Sequence, residues 1–426
     1  MNRTRIPRLP CLSVRPKLGR GRATETTGSS GWKDGDTIRH LPFAPRGAIW
    51  GRMIETRPAR IAVTAVFALN GALFGVWAAR IPVFVDRFAL SHDQLGLLLL
   101  CIAGGAIVAF PLAGRLSDKL GAARVTKALL VLYPLAFAVL PLAPTVPLLA
   151  LALAVWGATY GAMDVAMNGW GAEVEATYPA PIMSTFHAAY SLGAFLGAGV
   201  AAGAAWGGIG PGLLFPVLAV LGALATARLA RVPWTSHLSE DGPAFSLPRG
   251  PLLLVGIMAF ASAVGEGGVA DWSAVYLTGM PGTTEASAAL GFAAFSITMV
   301  VMRLYGDRVI VALGKVRAAR LSGISAALGV GVVVAAPGVL PALPGFVLMG
   351  LGYALIFPLA VTRAASDPVV PPGRAIAGVA TLGYGGALLG PVLIGWIAGA
   401  TSLTVGLALI GLLALVIVAC ADVLRP

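Results

Sequence analysis

Gly114-Arg-Leu-Ser-Asp118-Lys119-Leu-Gly121-Ala-Ala-Arg124 is a short, basic, turn-forming stretch between two long apolar runs. One acid, Asp118, stands inside a cluster of Arg and Lys. An altered copy follows about 190 residues later as Gly306-Asp307-Arg308 and then Gly314-Lys315-Val316-Arg317. Each copy comes after the second apolar run of its half. Recurrence at half-chain spacing is what an internal duplication leaves in a sequence.

Composition places the chain in a bilayer. It is 58% hydrophobic and 11% charged, with a mean hydropathy of +0.86, whereas soluble domains carry about 25% charged residues. Cys11, Cys101 and Cys420 lie far apart, so they define neither a disulfide framework nor a metal site. There is no H-E-x-x-H, no nucleophile elbow and no glycine-rich phosphate loop after a strand. Neither an enzyme nor an ATP-driven pump is indicated, and no cofactor, metal or nucleic acid is expected.

The net charge of +12 is unevenly placed. Residues 1–60 hold 13 Lys/Arg against 4 Asp/Glu, and the remainder 17 against 14. The basic tail, rich in Arg, Pro, Gly, Ser and Thr, has no helical apolar stripe and is expected to be disordered. It is also suited to touching anionic lipid. A second reading starts the protein at Met53. The tail has no apolar core of a signal peptide before residue 61.

A membrane helix needs about 20 apolar residues. Runs of that kind cover 61–85, 94–114, 124–142, 146–171, 181–206 and 210–229, forming a first unit over 61–230. After a polar linker at 231–250 come 251–278, 286–305, 318–336, 340–365, 375–399 and 402–423, forming a second unit over 251–426. Pro/Gly turns between several runs imply antiparallel neighbours. With the N-terminus inside, 14 Lys/Arg fall on cytoplasmic segments and only Arg87 on an outer loop. Positive residues favour the inside, so both termini are expected to be cytoplasmic. The expected fold is therefore all-α: twelve transmembrane helices in two pseudo-symmetric six-helix bundles.

The halves echo each other beyond the repeated loop. Trp77 in the first run answers Trp272 in the seventh. Gly193 and Gly197 in the fifth answer Gly386 and Gly390 in the eleventh, a small-residue spacing that lets helices approach closely. Two such units imply a cavity at their interface, opened alternately to either side.

Polar side chains inside the runs mark candidate functions. Glu266, flanked by glycines in Gly265-Glu-Gly-Gly268, is the coupling candidate: a carboxyl group away from bulk water can gain and lose a proton as its surroundings change. A neutral acid bonded to a neighbouring helix is the alternative. Asn70, Phe74, Trp77 and Ile81 share one helix face, with Arg80 beside it. Arg80 and Asp271 lie at similar depth in related runs and are candidates for an outer gate; alternatively Arg80 snorkels outward. Asp164 and Asn168 share a face of the fourth run, suited to a hydroxyl-rich or zwitterionic solute or to a structural polar network. His187, with Ser184 and Ser191 on its face, is a relay or ligand candidate, or alternatively a hydrogen-bonded structural group. The cavity set is thus Asn70, Trp77, Asp164, Asn168, His187 and Trp272. Glu173 and Glu175 fall at the inner boundary, where they balance basic loops.

The stretch Gly114 to Arg124 resembles the signature G-x-L-[AS]-D-[RK]-x-G-x-[RK] of the major facilitator superfamily, and the likeness covers about residues 60–424. Asn70-Gly71, Trp77-Ala-Ala-Arg80-Ile-Pro82, Asp164-x-x-x-Asn168 and Met183-Ser184 with His187 are similar to a bacterial inner-membrane branch with some likeness to fucose-type sugar permeases. The resemblance implies that Asp118 meets the start of the eleventh helix and latches one state of alternating access. A carboxylate favours the partial positive charge of a helix start. Gly114, Asp118, Gly121 and Arg124 match the signature directly; Gly306, Asp307, Arg308, Gly314 and Arg317 match with altered spacing, implying a weaker second latch. The fourth run lacks the arginine common in proton-driven members. The fifth lacks the Gly-Pro pair of many drug antiporters.

These readings converge on a proton-linked secondary transporter of a small polar organic solute. Its expected partners are that solute, protons and the lipid bilayer, and it is expected to work as a monomer. The alternatives are a drug or metabolite efflux antiporter, and a non-transporting receptor built on the same fold.

Overall fold

The computed structural model of the chain describes residues 46–178, 182–236, 248–370 and 372–425. The expected disorder of 1–45 lies outside the described residues. The segment 46–60, placed by sequence in the tail, is helical and runs into the first span. The chain from Gly47 onward forms one compact unit.

Among the described residues, twelve helices are long and apolar enough to cross a membrane. In the first half these are α1 (Thr56–Phe88), α2 (His92–Leu120), α3 (Ala122–Leu142), α4 (Val146–Glu175), α5 (Met183–Trp206) and α6 (Pro211–Leu229). In the second they are α7 (Pro251–Thr278), α8 (Glu285–Gly306), α9 (Lys315–Ala335), α10 (Val339–Ala365), α11 (Gly378–Ala400) and α12 (Leu403–Leu424). Every hydropathy run corresponds to one of them. The helical path of α8 continues to Leu313, and α10 breaks between Tyr353 and Ile356.

The signature stretch differs from its sequence reading. Gly114 to Lys119 is not a loop but the last turns of α2, since nothing there interrupts a helix before Gly121. The whole reversal is made at Gly121, whose φ of +93° is costly for a residue with a Cβ. The second copy repeats this at Gly314, with φ of +77°. Asp118 therefore rides on a helix end, exposed to solvent.

Small residues set the helix spacing. A Cβ on Gly193 or Gly197 of α5 would overlap the backbone carbonyl of Ala68 or Ala72 of α1, so the two helices touch backbone to backbone. In the second half, Gly386 of α11 lies on the Phe260 backbone of α7, and Gly390 on Val264. The halves meet along α5 with α8 and along α2 with α11. In the α2–α11 contact a Cβ on Gly96 would stand 3.1 Å from the Pro391 carbonyl and 3.3 Å from Gly395 Cα. Aliphatic side chains such as Val108, Val131, Leu224 and Leu412 face outward, as a lipid-facing surface requires.

Candidate substrate cavity and gates

A cavity of about 740 Å³ lies between the halves. Phe74, Tyr160, Asp164, His187, Tyr190 and Ser191 line it from the first half, and Glu266, Asp271, Phe292, Arg303 and Tyr384 from the second. At the face where α1 starts and α2 ends, the lining reaches Glu175, Met183, Ile310 and Thr362. The other face is drawn together by the α2–α11 contact and by an ion pair between halves, Arg80 Nη1 to Glu285 Oε1 at 2.9 Å.

Glu266 projects from the middle of α7, where Gly267 beside it leaves open space. Its Oε2 lies 3.1 Å from Arg303 Nη2 of α8, and its Oε1 accepts from Ser262 Oγ at 3.2 Å. Arg303 Nη1 reaches across to the first half and donates to Ser191 Oγ at 2.6 Å. Ser191 Oγ in turn donates to the His187 carbonyl one turn earlier. One guanidinium thus ties the coupling candidate on α7 to the face of α5 that carries His187, using the fork geometry that distinguishes Arg from Lys. Both charged side chains retain access to the cavity, at 15% and 27% exposure.

The opposite wall is built from α4 and α5. Tyr160 and Tyr190 join hydroxyl to hydroxyl at 3.0 Å. Asp164 Oδ1 accepts from Asn168 Nδ2 at 3.2 Å, and the same amide bonds the Asp164 carbonyl at 2.8 Å. Aromatic faces close the sides: Phe74 stacks on Tyr160 with centroids 5.7 Å apart and meets Phe292 at 6.4 Å. Phe110 and Tyr384 meet between halves at 4.7 Å. Hydroxyls, carboxylates and flat apolar surfaces are what an oriented polar solute needs.

The sequence-derived candidates divide. Glu266, Asp164, His187 and Asp271 line the cavity, and Asn168 supports Asp164 from behind. Asn70 is buried against α4, its amide facing Met167 Sδ at 3.6 Å. Trp77 is buried among Phe84 and Trp156, and Trp272 packs toward His92 where α2 meets α11. These three pack helices together and do not line the cavity. Shared periodicity put Asn70, Phe74 and Trp77 on one face, but the cavity edge crosses that face and takes Phe74 alone.

Arg80 pairs with Glu285 and donates from Nη2 to the Ile209 carbonyl at 2.7 Å; it does not meet Asp271. The cause is direction: Arg80 points sideways to the start of α8 and the turn after α5, while Asp271 faces the cavity. Glu175 Oε2 accepts the backbone N–H groups of Ile182 and Met183, both at 2.6 Å, and so caps α5. Glu173 holds Trp234 Nε1 at 2.7 Å. Both acids therefore have specific partners and do more than offset basic loops. Gly114, Arg124 and Arg308 sit with Asp118 on the face where the cavity opens, Arg308 against the Tyr305 ring; the Asp307 side chain lies outside the described residues.

Arg303 and the three tyrosines escaped sequence reasoning. Arg303 is an ionisable residue inside the eighth run and answers to the rule that singles out Glu266. Its nearness to Gly306-Asp307-Arg308 disguises it as a loop cation. Tyr160, Tyr190 and Tyr384 give no such signal, because tyrosine is common in lipid-facing and packed positions alike.

Residues 61–368 match the family model described as Major Facilitator Superfamily. The chain is 43% identical over 366 residues to the uncharacterized transporter y4wD of Sinorhizobium fredii, covering 85% of this chain and 97% of that protein. It is 34% identical over 366 residues to an uncharacterized MFS-type transporter of Yersinia pestis, covering 85% and 94%. It is also 33% identical over 399 residues to the membrane protein MosC of Rhizobium meliloti, covering 90% and 95%. Among solved structures, a point mutant of the nucleoside transporter NupG superposes with a TM-score of 0.69 at 12% identity, covering 86% of this chain and all of that one. A bacterial homologue of the human lysosomal transporter Spinster, inward-facing and occupied, gives 0.63 at 15% identity, covering 85% and 94%. The chain belongs to the Major Facilitator Superfamily and is a multi-pass membrane transporter of that type.

Proposed function

We propose that this transporter moves a small, hydroxyl-rich polar solute across a bacterial inner membrane by alternating access, linked to protons through Glu266. The observation that supports it best is the Glu266–Arg303–Ser191 chain, which joins a titratable carboxylate in one half to the other half at the cavity wall. Protonating Glu266 removes the charge that holds Nη2 of Arg303. The guanidinium is then free to change partners, so proton occupancy alters how the halves are tied. The Tyr160–Tyr190 hydroxyl pair, Asp164 with Asn168 and the Phe74–Phe292 surfaces form the solute-binding wall. A cavity of about 740 Å³ lies within the range of about 300–1,000 Å³ that holds small organic ligands.

In this reading the termini are cytoplasmic, because basic residues crowd the face bearing the signature turns. The cavity then opens to the cytoplasm. Arg80 with Glu285 closes the outer side, and Asp118, exposed and without a hydrogen-bond or ion-pair partner among the described residues, is the latch of the opposite state. The protein acts as a monomer, since each chain contains a whole cavity.

A binding screen tests the solute class. Purified protein is heated with sugars, amino acids, organic acids and cationic drugs, alongside Asp164→Asn and Tyr190→Phe. Stabilisation by hydroxylated solutes that is lost in both variants supports the reading. Stabilisation by lipophilic cations alone overturns it in favour of drug efflux.

A further inference from the structure

Leaving α6, the chain does not run straight to the second half. Residues 232–236 lie across the ends of α3 and α4. Lys127 Nζ donates to the Val232 carbonyl at 2.6 Å while resting 5.4 Å over the Trp170 ring. Trp234 Nε1 donates to Glu173 Oε2 at 2.7 Å. Ser236 Oγ accepts from Ala123 N at 3.2 Å, satisfying one of the N–H groups that a helix start leaves unpaired. A Cβ on Gly121 would stand 2.7 Å from Ser236 Cβ, so the serine sits directly on the signature turn.

The second half supplies an internal comparison. Gly314 makes the same positive-φ turn, yet among the described residues a Cβ there would meet nothing within 4 Å. Of the two turns, the one bearing the full signature is the one that is covered. Where the chain rejoins the second half, a Cβ on Gly378 in α11 would lie 3.2 Å from Pro248 N. The described ends of the connection thus lie on the signature turn, at Ser236, and against Gly378 of α11, at Pro248.

We propose that residues 232–236 form a positioning strap for the signature turn. The strap fixes Gly121 and the start of α3, and through them the helix end that carries Asp118. Trp234 and Ser236 are its positioning residues. That the turn acts as a gate rests on the function proposed above; the strap itself is tested without that assumption.

The test combines hydrogen exchange with labelling in nanodiscs. In Trp234→Ala, and to a smaller extent Ser236→Ala, amides 118–125 should exchange at least about tenfold faster than in the wild type, as a locally opened segment does. The uncovered turn at 314–317 should be unchanged. Wild-type exchange at 118–125 in both variants would overturn the proposal. If Trp234→Ala fails to fold, Trp234→Phe, which keeps an aromatic ring but loses the N–H donor, replaces it under the same criterion. The second readout labels a cysteine at Ser184, in a chain with native cysteines removed, with a membrane-impermeant maleimide. Trp234→Ala should raise labelling as Asp118→Asn does, and the double variant should raise it no further. Additive effects, or no effect of Trp234→Ala beside a clear effect of Asp118→Asn, would overturn the positioning role. If neither substitution changes labelling, the gate reading fails, and exchange alone decides the strap.

Discussion

Arg303 carries two obligations at once, and its replacement should separate them. Arg303→Ala strands Glu266 without its cation; removing one partner of a buried pair typically costs about 3–5 kcal/mol. Here the pair opens onto the cavity, so the loss should fall below that range and be read as a lower melting temperature. Adding Glu266→Gln to Arg303→Ala should recover most of that stability but none of the proton-linked transport. If the double variant stays as unstable as the single, the ion pair is not what Arg303 supplies. Arg303→Lys keeps the charge but cannot span Ser191 and Glu266 together. It should fold normally and transport at least about tenfold slower, a difference of roughly 1.4 kcal/mol.

The elements were legible because the bilayer imposes one rule on them all. A span must satisfy its own backbone and present apolar side chains, so hydropathy alone located all twelve spans, although it ended the second about six residues early and began the first about five residues late. Glycine spacing was legible too, since Gly193 and Gly197 recur one turn apart and meet α1 at backbone distance. Gly197→Ala should therefore lower folded yield and melting temperature, while Gly199→Ala, with nothing among the described residues within 4 Å of a Cβ, should change neither. Equal losses in both would mean the α1–α5 contact is not limiting. Helix rotation and neighbours were illegible: Asn70 and Trp77 share a face with Phe74, but that face looks partly into the bundle. Pairings between halves were hidden for the same reason. Nothing along the chain says that Arg80 meets Glu285, or that Arg303 meets Ser191, because both contacts depend on how the two bundles dock. The turn at Gly121 was visible, but the helical path through Asp118 was not, since a charged stretch between apolar runs reads as a loop.

For the whole molecule, the two faces of the cavity should respond in opposite senses. Arg80→Glu or Glu285→Arg alone places like charges where the halves meet at the closed face. Either should raise labelling, by an impermeant reagent added on that side, of a cysteine at Leu99, which is buried in α2. The double reversal should restore closure in part, because Glu at position 80 cannot donate to the Ile209 carbonyl as Arg80 does. Singles that label like the wild type would remove this pair from the gate. The proposal stands or falls on whether solute and proton movement share one cavity through Glu266. Purified protein in liposomes with a trapped pH dye, given solutes found by the binding screen, decides it, with Glu266→Gln in parallel. A solute-triggered internal pH change is expected in the wild type and should be absent in the variant. Solute uptake without a pH change, equal in both proteins, would contradict that link and return Glu266 to a structural role.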